Sequence, residues 1–163
     1  MSKKIFFLRH AKSSWDLDVS DINRPLNQRG VNDITKIGNK FNKIFNSVEL
    51  IITSPAVRAI STCVIFSSSI NFTFDKIKIN NKLYTFNVDE IIKFVYNLND
   101  SINEIILVGH NPAFTSTANF FSLNKDYYMS TSSWVKIEFQ TNDWAKIDKG
   151  ISSFGSRKTL NLK

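Results

Sequence analysis

Ile105-Ile106-Leu107-Val108-Gly109-His110-Asn111-Pro112 is an apolar run that stops abruptly at glycine, histidine and proline. Four consecutive apolar residues bounded by turn formers fit a strand covered on both faces, as in a parallel sheet. Ile5-Phe6-Phe7-Leu8-Arg9-His10 repeats the arrangement near the N-terminus, and these two stretches hold the only histidines of the chain. In an open α/β sheet, groups just past the carboxyl ends of strands face the crevice where ligands bind. Two imidazoles in equivalent places therefore point to one shared pocket.

Working outward, residues 48–53 form a second apolar strand, stopped by Ser54-Pro55. A helix over about 56–68 follows, with proline tolerated in its first turn. A short third strand is expected at 76–79. Within 30–45, Val31, Ile34, Ile37, Phe41 and Ile44/Phe45 recur at gaps of three and four, an amphipathic helix with Gly38 as a weak point. Asp89 and Glu90 start the next helix before Ile91, Ile92, Phe94, Val95 and Leu98, and a further helix runs from Asn111-Pro112 through Phe120. Near the C-terminus, 134–139 is expected as an edge strand and 144–147 as another after the Thr141-Asn142-Asp143 turn. This order predicts an α/β fold: a three-layer α/β/α sandwich whose central sheet is mainly parallel with an antiparallel edge strand.

The chain of 163 residues is read as a single domain, 1–163, with 151–163 a polar, basic, loosely held tail. No apolar run approaches the roughly 20 residues of a membrane helix. The basic start Met1-Ser2-Lys3-Lys4 is followed by too short an apolar stretch for a signal peptide, so a cytoplasmic protein is expected. One cysteine, Cys63, excludes an internal disulfide and any cysteine-based metal cluster, and it reads as a small buried hydrophobe. The net charge of +7 favours anionic partners. Nucleic acid ranks last among them, because the lysines are scattered without a dense block.

Three strand ends carry candidate chemistry. Arg9 beside His10 pairs a guanidinium with an imidazole, a combination suited to phosphate, and neutral imidazole is a competent nucleophile toward phosphorus. Ser54-Pro55-Ala56-Val57-Arg58-Ala59 puts Arg58 in a first helical turn, where free backbone N–H groups already favour anions. Gly109-His110-Asn111-Pro112 supplies the third corner. A plain strand–helix turn with an incidental histidine explains any one of these alone. Together they imply two histidines and two arginines around one pocket. The polar connection 12–29 is long enough to be functional itself.

These stretches, with Arg9-His10-Ala11-Lys12-Ser13-Ser14-Trp15-Asp16, Arg24-Pro25-Leu26-Asn27-Gln28-Arg29-Gly30 and Leu83-Tyr84, resemble the histidine phosphatase (phosphoglycerate-mutase-like) superfamily in its short SixA-like phosphohistidine phosphatase branch. The resemblance covers residues 5 to about 140. It implies that His10 is the nucleophile of a covalent phosphohistidine intermediate, with Arg9, Arg58 and His110 around the phosphoryl oxygens. It implies no metal and no cofactor, since arginines supply the positive charge. Arg24 of the Arg-Pro-Leu motif either reaches the phosphate or substrate, or fixes the long loop through an ion pair. Asp16 stands where many members have Asn; a carboxylate there repels phosphate unless it points away, and it is not counted as a contact. Thr131, in a Ser/Thr-rich turn, is read as a plain turn residue ahead of a substrate contact.

The departure lies at Asn81. Related enzymes often carry a Glu shortly before the Leu-Tyr pair as general acid, and Ile79-Asn80-Asn81-Lys82-Leu83-Tyr84 has no carboxylate. An alkoxide leaving group gains about 10²–10⁴-fold from such an acid. A phosphorylated imidazole needs less, because its leaving nitrogen can be protonated from solvent beforehand. The expected substrate is therefore phosphohistidine on a protein, with inorganic phosphate as product. A phosphatase for small phosphorylated molecules, and a phosphate-binding module without turnover, are the alternatives. Only 12–29 and 123–133 are available as a lid, so an open pocket is expected.

Overall fold

A computed structural model describes residues 2–123 and 126–160. Six strands form one sheet in the order β3-β2-β4-β1-β5-β6. They are β1 (Lys3–Arg9), β2 (Leu50–Thr53), β3 (Ile77–Ile79), β4 (Glu104–Gly109), β5 (Trp134–Phe139) and β6 (Ile151–Gly155). The first four run parallel; β5 is antiparallel to β1, and β6 is antiparallel to β5. Four helices accompany them: α1 (Gln28–Phe41), α2 (Val57–Ser69), α3 (Val88–Tyr96) and α4 (Ala113–Phe121).

Alternation along the strands creates two cores. Ile5 and Phe7 of β1, with Ile105 and Leu107 of β4, face Ile91 and Val95 of α3 and Phe114 and Phe121 of α4. Phe6 and Leu8, with Ile106 and Val108, face Ile34 and Ile37 of α1 and Cys63 and Phe66 of α2. Both sides of β1 and β4 are thus buried, which is why their sequences are continuous apolar runs rather than alternating ones. The result is the expected three-layer α/β/α arrangement. Cys63 is buried and unpaired, with burial pushing its thiol up to about 11.

Local chemistry fixes the helix starts. The Asn27 side chain accepts from the Gly30 amide at 2.8 Å to cap α1, and that of Asn87 accepts from the Asp89 amide at 2.9 Å to cap α3. Gly38 does not break α1. It lets the helix approach α2, where an added Cβ would lie 2.5 Å from the Ser69 Cβ. Pro55 precedes α2 instead of entering its first turn, and Ala56 is the capping residue.

Three expectations near the C-terminus need correction. β5 is interior, not an edge, because β6 pairs with its outer side from Trp134↔Gly155 to Glu138↔Ile151. Residues 144–147 form no strand: Trp144–Lys146 is a 3-10 turn. The Asp143 side chain accepts from the Ala145 amide, while the buried Trp144 indole donates to the Ile102 carbonyl at 2.9 Å. The segment expected to be a loose tail contains β6 and a 3-10 turn, Arg157–Leu160, whose Leu160 packs into the α1–α2 core. Its polarity misled because most of β6 is half-buried or exposed and is held by ladder bonds. Residues 161–163 of that segment, and 124–125 of the 123–133 stretch, lie outside the described residues.

Candidate phosphate-binding site

Arg9 of β1 lies opposite Gly109 of β4, so His10 and His110 are the first residues beyond the two paired strand ends. From here the chain leaves β1 toward β2 on one side and β4 toward β5 on the other, the topological switch point of the sheet. The His10 amide donates to the Gly109 carbonyl at 3.1 Å, and the imidazole centroids are 5.2 Å apart. Gly109 has no positive φ. What demands glycine is space: an added Cβ would lie 2.4 Å from the Phe114 ring.

His10 Nδ1 lies 2.8 Å from the Ala11 carbonyl, which can only accept, so Nδ1 carries the proton and Nε2 keeps its lone pair. Arg58 Nε donates to that Nε2 at 3.4 Å. On His110, Arg58 Nη2 faces Nδ1 at 3.4 Å, while Nε2 lies 2.7 Å from Ser54 Oγ. Since a guanidinium only donates, Nδ1 accepts and Nε2–H bonds to Ser54. Burial lowers the His10 pKa to about 3, partly opposed by the Ala11 bond and reinforced by His110, Arg58 and Arg9. Burial and then Arg58 lower His110 to about 4. Both imidazoles are neutral at pH 7.

Arg58 is 2% exposed in the first turn of α2. Its counter-charge is Asp21, from the long polar loop. Nη1 donates to the Asp21 carbonyl at 2.6 Å and Nη2 to Asp21 Oδ2 at 3.0 Å. The same carboxylate accepts from Tyr84 Oη at 2.6 Å and from Arg24 Nε at 3.1 Å. Partial burial acts to raise the Asp21 pKa, but the bonds from Tyr84, Arg58 and Arg24 outweigh it and hold it at about 2.

Arg24 makes an ion pair within the polar loop. Its bonds go to Asp21 and to Ser13 Oγ at 2.7 Å, and its guanidinium stacks 3.6 Å from the centroid of Trp15. Arg9 sends Nη1 to the Met129 carbonyl at 2.8 Å, leaving its buried Nε without a partner. Asp16 points away, accepting from Ser14 Oγ within its own exposed turn. Asn81 is exposed in the 3-10 turn Asn81–Leu83, whose Leu83 is buried, and Asp89 and Glu90 occupy the first turn of α3 as expected. Thr131 lies in the turn before β5. Among the described residues, no group of three or more His, Cys, Asp or Glu is arranged to hold a metal. No helix among them is long and apolar enough to cross a membrane.

The sequence profile of the histidine phosphatase superfamily (branch 1) matches residues 5–89, just over half of the chain. The chain belongs to the histidine phosphatase superfamily. Solved structures with the same fold include the protein histidine phosphatase SixA complexed with tungstate, at TM-score 0.79 and 19% identity over 97% of this chain and 99% of that one. A proposed phosphohistidine phosphatase SixA from Nakamurella multipartitia matches at 0.78 and 19%, over 95% and 94%. A mycobacterial glucosyl-3-phosphoglycerate phosphatase matches at 0.63 and 11%, over 96% and 98%. No curated protein matches the chain in sequence.

Within this histidine phosphatase fold, Arg58 touches both histidines, Arg9 extends from the same strand end as His10, and Arg24 is tied in through Asp21. Sequence reasoning missed Asp21 and the partner role of Ser54. The available signal for Asp21 was its i, i+3 spacing to Arg24, which the Asp21–Asn23 turn converts into an ion pair.

Proposed function

We propose that this chain is a phosphatase that carries the phosphoryl group on His10 Nε2, with arginines instead of a metal supplying the positive charge. One observation carries the reading: a buried, neutral His10 whose Nδ1–H is spent on a backbone carbonyl, leaving Nε2 as a lone-pair nucleophile beside Arg58. In the first step Nε2 bonds to phosphorus as the bond to the leaving group breaks. In the second, water attacks the phosphoryl group of His10, the N–P bond breaks, and phosphate leaves with the proton lost by water. Arg58 and Arg9 neutralise the equatorial oxygens. A bound phosphoryl dianion favours the imidazolium form of His110, turning Nδ1 from acceptor into donor.

The substrate reading is phosphohistidine displayed on a protein. Two features support it. Asn81 offers no proton to an alkoxide, and Asp21, the carboxylate at the site, is ionised and bonded to two arginines and a tyrosine. A leaving imidazole protonated from solvent needs neither. In addition, large apolar side chains stand in solvent near the site and along the polar loop that carries Asp21. Trp15 on the polar loop is 73% exposed and Tyr128 78%, with Leu17, Val19 and Phe86 also exposed. Phe86 lies 6.0 Å from the His110 ring, and Tyr128 lines a cleft with Arg9. Such a rim suits a macromolecular surface better than a small sugar phosphate. A relative was captured with the phosphate-like oxyanion tungstate, in keeping with a phosphoryl pocket.

The test is to incubate the protein with a chemically phosphorylated histidine protein and with para-nitrophenyl phosphate, each repeated with His10→Ala. Release of phosphate from the protein, abolished by the substitution, is the expected result. Full activity in the variant ends the nucleophile assignment, and activity on the ester alone ends the phosphohistidine assignment. No turnover of any donor favours a binding module.

A further inference from the structure

We propose that Asp21 is a positioning residue, holding the Arg58 guanidinium so that one edge meets both histidines. The proposal rests on the reading of His10 and Arg58 given above. Arg58 is the group bonded to both imidazoles, yet each of those contacts is 3.4 Å, too long to fix a planar fork unaided. Its firm bonds are on the adjacent Nη1/Nη2 edge, at 2.6 Å to the Asp21 carbonyl and 3.0 Å to the carboxylate. Those two bonds determine which N–H groups remain for His10 and His110. The carboxylate is itself fixed from two further directions, by Tyr84 Oη from the loop after β3 and by Arg24 within the polar loop.

An alternative role for Asp21, replacement of the acid missing at Asn81, fits the chemistry poorly. A carboxylate accepting from two guanidinium groups and a phenol is stabilised as the anion and has no proton to give. Its function is geometric and electrostatic. It is also the counter-ion of two arginines, Arg24 and Arg58, the second of which faces two buried imidazoles.

The experiment compares Asp21→Asn, Tyr84→Phe and the double variant with wild type on phosphoramidate, a small N-phosphoryl donor. Misplacing one catalytic group by about 1 Å can cost roughly 10²-fold. Asp21→Asn is therefore expected to lower kcat about 10- to 100-fold while KM changes less than about threefold. Tyr84→Phe should lower kcat less, and the double variant should be no slower than Asp21→Asn alone, because both act through one carboxylate. A second readout does not depend on turnover: the Arg58 Nε–H proton resonance, identified by its loss in Arg58→Lys. It should be sharp in wild type and shifted or broadened in Asp21→Asn. If wild type turns over no phosphoryl donor, the function proposed above fails, and the resonance alone decides the role of Asp21. An Asp21→Asn protein that keeps the resonance unchanged, or folds and keeps kcat within threefold, overturns the proposal. So do effects of the two substitutions that multiply.

Discussion

Acidification should unfold this protein earlier than its carboxylates alone would. In the unfolded chain both imidazoles titrate near 6.5; folded, His10 titrates at about 3 and His110 at about 4. Between those limits the unfolded chain binds up to two more protons than the native one. Stability therefore rises with pH across the window and is lost as pH falls through 6.5 toward 4. At pH 5 each histidine contributes a loss of about 2 kcal/mol, so the pair removes about 4 kcal/mol relative to pH 8. That is a large share of the roughly 5–15 kcal/mol that holds an ordinary domain together.

The assay is urea unfolding at pH 8.0, 6.0 and 5.0, with m constant across the series. His10→Gln and His110→Gln should each reduce the pH slope by about half. Because the chain has only two histidines, the imidazole Cε1–H region of the proton spectrum should hold two lines and no others. Neither should move between pH 8 and pH 5.5. The same depression predicts that kcat/KM has no acid limb near 6.5, since His10 stays a neutral nucleophile well below it. A stability that is flat from pH 8 to pH 5, or two lines titrating near 6.5, would refute the burial argument at its root.

Gly30→Ala should destabilise by about 1–3 kcal/mol, because the added Cβ would lie 2.2 Å from the Lys12 carbonyl, a backbone atom that cannot move aside; an unchanged urea midpoint contradicts this. Ser54→Ala strips His110 Nε2–H of its 2.7 Å partner, with an expected loss of about 1–3 kcal/mol and weaker orthovanadate inhibition, read by unfolding and by steady-state kinetics. Leu17→Ala combined with Val19→Ala should lower kcat/KM on a phosphorylated histidine protein roughly tenfold while leaving phosphoramidate hydrolysis within about twofold. Equal losses on both substrates would remove the polar loop from substrate docking.

The parallel core was legible because residues buried on both faces leave an unambiguous mark. Ile5 to Leu8 and Ile105 to Val108 are apolar at every position, and each ends at a histidine. The same principle explains the failure at the C-terminus. Ile151-Ser152-Ser153-Phe154-Gly155 belongs to an edge strand whose stability lies in its ladder to β5, and backbone bonding leaves no compositional trace. Trp144 looked strand-like because it is aromatic and buried, yet its burial serves a turn that closes on the Ile102 carbonyl. The convergence of His10, Arg58 and His110, with Arg9 at the same strand end, was legible since each sits at a strand end or first helical turn. Asp21 was hidden among Asp16, Asp18 and Asp21, three acids in one irregular loop. Only the path of that loop brings the last of them to Arg58.

That path gives the loop a double role. Arg58 is a nearly inaccessible cation beside two neutral imidazoles, while its partner carboxylate is 43% exposed and shares the screening with solvent. Its counter-charge comes from a segment 37 residues earlier that also carries the exposed side chains Trp15, Leu17 and Val19. Seating the loop therefore completes the electrostatics of the pocket and presents its outer surface in one event. An anion entering between Arg9, Arg58 and His110 supplies negative charge that Asp21 otherwise supplies alone. Phosphate should consequently protect an Asp21→Asn protein against urea more than it protects wild type, by the ratio of the two phosphate affinities. Equal protection of the two proteins would mean that Asp21 and the bound anion do not share the field of Arg58.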